Sequence, residues 1–269
     1  MSRLTIRFIA LLICSMMLVP SCASDAPETH PRGPTPDATR SNVEGVLIDI
    51  SPDALEASRE AGVELPDVVR AAIERASALL GDVRTGVTVV VDPERTITGV
   101  GVGGYTDPNT GDVTISLDDA PDARIKTWLP VTLAYELDHV ARVNRGPGYG
   151  STLLEVMVTE GMADAFATQA FPDAPAHPWA EALSPRQLRT LWARAQPSLS
   201  ELVDPRSYGE WFSGKGRLPL WTGYSIGSGI VSSYLARHPS ARASDLVTVP
   251  ARKVLRGSGW TSTGSRGSS

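Results

Sequence analysis

The chain has 269 residues, of which 42% are hydrophobic and 20% are charged, so it holds enough apolar material for one sizeable core or at most two small domains. Its formal net charge of −5, without a basic stripe, argues against a nucleic-acid-binding function.

The N-terminal segment predicts export. Two arginines precede an apolar run over residues 8–19, which is too short to span a bilayer in a mature protein. The run ends in the sequence VPSC, which resembles a bacterial lipoprotein signal with Cys22 as the lipidated residue. We predict a signal peptide over 1–21 and a mature chain held at the membrane of the cell envelope by lipid on Cys22. An ordinary secretory signal cleaved near Ala23 is the alternative.

The folded domain is predicted between two segments of biased composition. Residues 22–44 are rich in Pro, Asp, Thr and Ser and predict a disordered tether. Residues 257–269 are rich in Gly and Ser and predict a disordered tail. The residues between them, 45–256, predict one domain.

Strands come first along this domain and helices follow. A strand over 45–50 precedes helical periodicity over 52–80, which Pro66 divides into two helices. Composition predicts further strands within the β-branched or glycine-rich segments 87–91, 98–106 and 113–117. Helices are predicted over 131–145, 152–171, 185–196, 222–237 and about 248–256. This order predicts an α+β fold with a small N-terminal sheet and a mainly helical C-terminal half.

Two of these helices carry ionisable groups at helical spacing. At about 100° per residue, Tyr135, Glu136 and His139 project from one face of the first helix. On the next helix, Glu160 and Asp164 lie one turn apart in an otherwise apolar stripe. Two carboxylates in such a stripe are costly to bury unless they are paired or bound to a metal, so packing alone does not explain the pattern.

Ordinary structural roles are predicted for four other residues in or near these helices. Asp138 and Arg142, four residues apart on another side of the first helix, predict a solvated ion pair. Gly161, in the middle of the second helix, predicts the close approach of another element. His177, beside a proline in a loop-like stretch, predicts a solvated histidine.

These motifs resemble those of known metallopeptidases. Glu-x-x-His at 136–139 followed by Glu-x-x-x-Asp at 160–164 resembles the gluzincin type, and the segment 132–167 resembles the YjaZ-like family of predicted zinc-dependent proteases. A second block, WFSGKGRLPLWTGYSIG at 211–227, is similar to the same family. The resemblance covers about residues 45–256 and implies a zincin-like fold with a cleft between the two helices and a sheet edge.

The resemblance also implies roles for individual residues. His139 and Glu160 correspond to zinc ligands, and Glu136 corresponds to the general base that acts on a zinc-bound water. Asp164 corresponds to an acceptor that orients a histidine ligand. Tyr224, in the second block, would stabilise a developing oxyanion in a catalytic cleft, or would be an amphipathic core tyrosine.

One position departs from the pattern, because Tyr135 stands where the first histidine of His-Glu-x-x-His belongs. Ionising a phenol at pH 7 from a reference pKa of about 10 costs about 4 kcal/mol before any metal compensates. Tyrosine is also longer than histidine, so its oxygen would overshoot a site built for an imidazole on that turn. Only His139 and Glu160 then remain as ordinary zinc ligands.

Three hypotheses follow. The first is an active zinc metallopeptidase in which Tyr135, an extra water or another carboxylate is the substitute ligand. The second is a catalytically inactive pseudoprotease that binds a peptide or protein partner in the cleft. The third is an envelope lipoprotein in which Tyr135, His139, Glu160 and Asp164 form a hydrogen-bonded core network, with the Tyr135 hydroxyl on Asp164. By analogy with the zincin architecture, the glycine-rich strand 99–104 is expected to pair with an extended peptide.

Overall fold

The computed structural model describes residues 39–260. Of the predicted segments, the signal peptide over 1–21, the lipidation site Cys22 and the greater parts of the tether and the tail lie outside these residues.

The described residues form one sheet, with most of the helices after it in the chain. The strands are β1 (Thr39–Val43), β2 (Val46–Ile50), β3 (Thr85–Val91), β4 (Val102–Thr106) and β5 (Val113–Leu117). The α-helices are α1 (Pro52–Glu60), α2 (Leu65–Leu80), α3 (Ile125–Arg145), α4 (Leu153–Ala170), α5 (Pro185–Ala195), α6 (Pro205–Trp211), α7 (Thr222–Arg237) and α8 (Ala251–Ser258). The fold is α+β, as predicted. None of the helices within 39–260 combines the length and the hydrophobicity needed to cross a bilayer.

The sheet has the strand order β1-β2-β3-β5-β4. The three inner strands run parallel, and β1 and β4 pair antiparallel at the two edges. The β-branched run of β3 supplies Val87 and Val89 to the core, where both are almost fully buried. At the other end of the sheet, β4 lies beside α3. The edge that α3 approaches is therefore the one that carries the glycine-rich strand.

The folded residues extend beyond both predicted boundaries of the domain. β1 begins inside the predicted tether and joins β2 through Glu44 and Gly45, which both have positive φ (52° and 86°), as a type I′ turn requires. Glutamate is not a typical residue of that turn, so composition did not indicate the hairpin. At the other end, α8 continues to Ser258, and the indole of Trp260 donates a hydrogen bond to Ser233 (2.9 Å).

Two helices differ from their predictions. α3 begins at Ile125 rather than 131, because Pro130 lies inside the helix instead of starting it. Pro130 has no N–H for the carbonyl of Lys126, but Lys126 is exposed and water can replace that bond. α6 was not predicted, although Asp204 caps it by accepting a hydrogen bond from the Ser207 N–H (2.7 Å).

Helices α4 and α7 cross at two glycines. A Cβ on Gly161 would lie 2.3 Å from the Gly227 backbone, and a Cβ on Gly227 would lie 1.8 Å from the carbonyl oxygen of Met157. The predicted close approach at Gly161 is confirmed, with α7 as the approaching element. This crossing brings Tyr224 and Ser228 beside the polar residues of α4.

The predicted solvated pair of Asp138 and Arg142 is wrong, because both side chains are buried. Arg142 donates to Thr159 Oγ1 (3.0 Å) and to the carbonyls of Val247 and Val249 (3.0 and 3.2 Å). The C-terminal residues that include these carbonyls cover this side of α3, which the periodicity of α3 does not reveal. Among the described residues the Asp138 carboxylate accepts no hydrogen bond, and burial raises its pKa to about 6.

We predict that Asp138→Asn stabilises the fold at neutral pH and has little effect near pH 4. Because folding raises the pKa of Asp138, wild-type stability is lost as the pH rises from about 4 through about 6. The free energy of unfolding of the variant should therefore exceed the wild-type value by about 2–3 kcal/mol at about pH 7.5, measured by urea denaturation. Asp119→Asn, at an exposed position, is the control. A stability difference that does not grow with pH would contradict the prediction.

Candidate active-site cleft

A cleft lies between the edge strand β4, helices α3 and α4, and the beginning of α7. Its lining includes five of the residues singled out in the sequence, namely Tyr135, Glu136, His139, Glu160 and Tyr224. Each of these side chains is buried, with no more than 5% of its surface exposed. The two motif helices therefore converge on one small region, as the spacing of their polar residues requires.

The Glu160 carboxylate receives two phenolic hydrogen bonds. Tyr135 donates to Oε2, and Tyr149 donates to Oε1. Tyr149 was not identified from the sequence. It lies in the loop between α3 and α4, between Gly148 and Gly150, which both have positive φ. The Gly-Tyr-Gly run marks a tight turn but does not indicate where the phenol points.

His139 lies next to the same carboxylate, with its Nε2 3.4 Å from Glu160 Oε2. Burial disfavours the imidazolium, but the hydrogen bond and charge of Glu160 and the charges of Glu136 and Asp138 outweigh burial and raise the pKa of His139. Its Nδ1 atom has no hydrogen-bond partner among the described residues. A histidine that ligates a metal through Nε2 usually donates Nδ1–H to an acceptor, and that support is missing here.

Glu136 lies against the edge strand. Thr106 donates to its Oε2 (2.6 Å) and also reaches the Glu136 carbonyl (3.2 Å). A Cβ on Gly104 would lie 2.5 Å from Oε1, so a glycine is needed at that point of β4. Burial raises the pKa of Glu136 to about 7, against the opposing effects of His139 and the Thr106 hydrogen bond.

Asp164 accepts hydrogen bonds from three residues that the sequence analysis did not predict as its partners. Its Oδ1 accepts from His177 Nδ1 (2.8 Å) and from the Trp179 indole (3.2 Å), and its Oδ2 accepts from Ser228 of α7 (2.7 Å). The predicted hydrogen bond from Tyr135 to Asp164 is wrong, because the phenol reaches Glu160, one turn earlier on α4.

His177 is not solvated as predicted, because only 3% of its surface is exposed. The segment after α4 folds back over that helix and ends in a short 3-10 helix at Pro178–Ala180. This return brings His177 into the cleft lining. The sequence signal was weak, since a His-Pro pair in a loop is usually exposed, and only the buried partner Asp164 explains its position.

Aromatic rings form one continuous wall of the cleft. His177 stacks on Trp179 (ring centroids 4.5 Å apart), and Trp179 stacks on Tyr224 (5.0 Å). Tyr135 meets Trp179 edge-on at 5.7 Å. The Tyr224 hydroxyl lies 3.0 Å from that of Tyr208. Tyr224 is thus a packed aromatic residue that also lines the cleft, and its role toward an oxyanion stays a prediction.

The donor atoms of this cleft do not fit a zinc site with three protein ligands. The separation of His139 Nε2 and Glu160 Oε2, 3.4 Å, is close to the value of about 3.3 Å expected for two ligands of one tetrahedral zinc. The third position belongs to Tyr135, and burial together with the charge of Glu160 raises the pKa of this phenol well above its ordinary value. Within 39–260, no three His, Cys, Asp or Glu side chains are arranged to hold a metal ion.

A family described as predicted Zn-dependent protease (DUF2268) matches residues 66–256, which is more than half of the chain. The chain belongs to this family, and the resemblance to YjaZ-like proteins is confirmed. The membership supports a metallopeptidase assignment at the level of the family and points to zinc as its metal.

One curated relative shares part of the sequence. The uncharacterized protein YjaZ of Bacillus subtilis (strain 168) is 28% identical over 126 residues, which cover 46% of this chain and 48% of that protein. The match thus spans about half the length of the curated relative. No solved structure matches the chain.

Proposed function

We propose that this chain is a peptide- or protein-binding member of the predicted zinc-protease family whose cleft works without zinc. The observation that carries the proposal is the state of Glu160, whose two oxygens accept hydrogen bonds from Tyr135 and Tyr149, with His139 as a third neighbour. A buried carboxylate is costly unless it is paired, and here the protein itself supplies the pairing.

Proton binding at His139 favours the same conclusion. Glu160 and Glu136 help to raise the pKa of His139, so the imidazole holds a proton more tightly than a free histidine. A histidine must be neutral to ligate a metal, and zinc would have to displace this proton as well as the phenols of Tyr135 and Tyr149. A cation that enters beside Glu160 therefore competes with the hydrogen bonds that this carboxylate already accepts.

The sheet edge supports a peptide as the occupant. Among the described residues β4 pairs with no strand but β5. The Val102 carbonyl at its other edge accepts from the Ile97 N–H (3.1 Å), and the rest of that edge offers backbone N–H and C=O groups next to the cleft. The glycines at 103 and 104 leave room for the backbone of Arg95 and the side chain of Glu136, which lie against this strand. An extended peptide can pair with such an edge while its side chains enter the neighbouring pocket.

We predict that the purified mature chain contains far less than one zinc per molecule and keeps its melting temperature in chelator. The reason is that Glu160 is already paired and only two ordinary ligands converge. Metal analysis and thermal unfolding with and without EDTA measure both properties. Near-stoichiometric zinc that is lost in His139→Ala and in Glu160→Ala, but kept in the surface variant Glu201→Gln, would overturn the proposal and favour an active metallopeptidase.

We predict that Tyr135→His raises zinc affinity by more than the roughly 10–100-fold typical of changes around a ligand shell. The substitution removes one phenol from Glu160 and adds an imidazole one turn before His139. Tyr135→Phe is the matched control, since it removes the hydroxyl without adding a ligand. Calorimetric zinc titration compares the three proteins. Equal affinities of the histidine and phenylalanine variants would mean that α3 does not direct this position toward the ion.

We further propose that the chain is exported and anchored in the cell envelope by lipid on Cys22. The support is the sequence alone, an apolar run that ends in VPSC. Mass spectrometry of the mature N-terminus provides the test, with a lipidated Cys22 as the expected first residue. An unmodified N-terminus near Ala23 would contradict the lipid anchor and indicate an ordinary secretory signal. If Cys22 carries the lipid, Cys22→Ser should abolish membrane association.

A further inference from the structure

A second set of polar groups lines the cleft next to Glu136. Thr132 lies one turn before Glu136 on α3, so the two side chains are neighbours on one face. The Thr132 hydroxyl is buried and has no hydrogen-bond partner among the described residues. Buried polar groups are normally paired, so this hydroxyl indicates a partner supplied from outside the chain.

His177 faces the same turn of α3. Its ring centroid lies 6.1 Å from that of Trp128 and 5.3 Å from that of Tyr135, the residues four before and three after Thr132. Asp164 accepts the hydrogen bond at Nδ1, so that nitrogen carries a proton, and in the corresponding tautomer of the imidazole Nε2 is a hydrogen-bond acceptor. At Glu136, Thr106 donates to Oε2, and no donor from residues 39–260 reaches Oε1, which can therefore accept from a ligand.

Hydrogen-bond acceptors and negative charge therefore dominate this part of the cleft. In the lining, the three carboxyl groups of Glu136, Glu160 and Asp204 outnumber the guanidinium of Arg95 and the imidazole of His139, whose pKa is raised. Arg95 is itself paired with Asp92 (3.3 Å). The cleft encloses about 90 Å³, enough for a few water molecules or a small charged group. Aromatic edges and faces complete the wall and are also favourable neighbours of a cation.

We propose that the pocket formed by Thr132, Glu136 and His177 binds the cationic group of an arginine or lysine side chain in the bound peptide. A guanidinium or ammonium group carries only hydrogen-bond donors, which match the acceptors of the three residues. The proposal rests on the proposed function, since it assigns the side-chain preference of the same peptide-binding cleft. It also gives Glu136 a role that requires no metal.

The test uses the full mature chain in EDTA and blocked peptides of the form Gly-Gly-Xaa-Gly-Gly, titrated by calorimetry. Arginine and lysine at Xaa should bind at least about tenfold more tightly than citrulline and norleucine, which keep the shape but lack the charge. Glu136→Gln should remove that preference, and Thr132→Val should weaken it. Glu201→Gln, a surface carboxylate outside the cleft, should leave it unchanged.

The outcomes separate this inference from the proposed function. Equal affinities for arginine and citrulline peptides would overturn the cation pocket and leave peptide binding in place. No binding by any of the peptides would overturn both. A charge preference that survives Glu136→Gln would locate the cation elsewhere and overturn the assignment. If free arginine amide competes as well as the arginine peptide, the ligand is a small organic cation rather than a peptide side chain, and the peptide part of the inference falls.

Discussion

The structure of this cleft depends on how one buried carboxylate is satisfied. Glu160 lies in the middle of α4, a helix whose other buried side chains are mostly apolar, and 2% of its surface is exposed. An isolated charge at such a place would cost far more than a typical domain's margin of stability. Tyr135 and Tyr149 meet this requirement from two different elements, a helix and a loop. The same requirement therefore determines where α3 and the loop before α4 can lie.

A second buried carboxylate, Asp164, organises the next turn of the same face of α4. It holds the returning segment through His177 and Trp179, and it holds α7 through Ser228. α7 can approach this closely only because Gly161 and Gly227 lack side chains at the crossing. Hydrogen bonding and close packing thus act together. The aromatic wall of the cleft follows from this arrangement, since both His177 and Trp179 are oriented by the same carboxylate oxygen.

The sequence predicts helices and strands well where hydrophobic periodicity is strong. It predicts less well which residues those helices contact in the folded chain. The polar residues of α3 and α4 converge as their spacing indicates, because helical geometry fixes which residues share a face. Helical geometry does not fix which other segment of the chain packs on that face. The periodicity of α3 predicts Asp138 and Arg142 in solvent, but both are buried. The segment that contacts Arg142 lies more than one hundred residues away in the chain, so local periodicity does not reveal it.

The same limit applies to the cleft itself. Tyr149 and His177 are loop residues, and neither periodicity nor composition reports where a loop returns. His177 was assigned to solvent, whereas a tertiary hydrogen bond to Asp164 holds it in the cleft. The predicted hydrogen bond from Tyr135 to Asp164 is wrong by only one helical turn. Residues one helical turn apart are both within reach of a long side chain, so spacing cannot choose between Glu160 and Asp164.

Charge balance links these observations. In a zinc peptidase the metal supplies the positive charge that buried carboxylates of the site require. In this chain the phenols of Tyr135 and Tyr149 satisfy Glu160 as neutral donors and bring no charge. His139 supplies part of the missing charge, because the surrounding carboxylates raise its pKa above the ordinary value. Among the described residues, Glu136 has one oxygen without a hydrogen-bond donor beside the Thr132 hydroxyl, which also has no partner there, and the proposed cation would supply donors to both. Under the proposed function, a cleft without a full metal site would still select for positive charge, and a cationic group on a ligand would meet that selection.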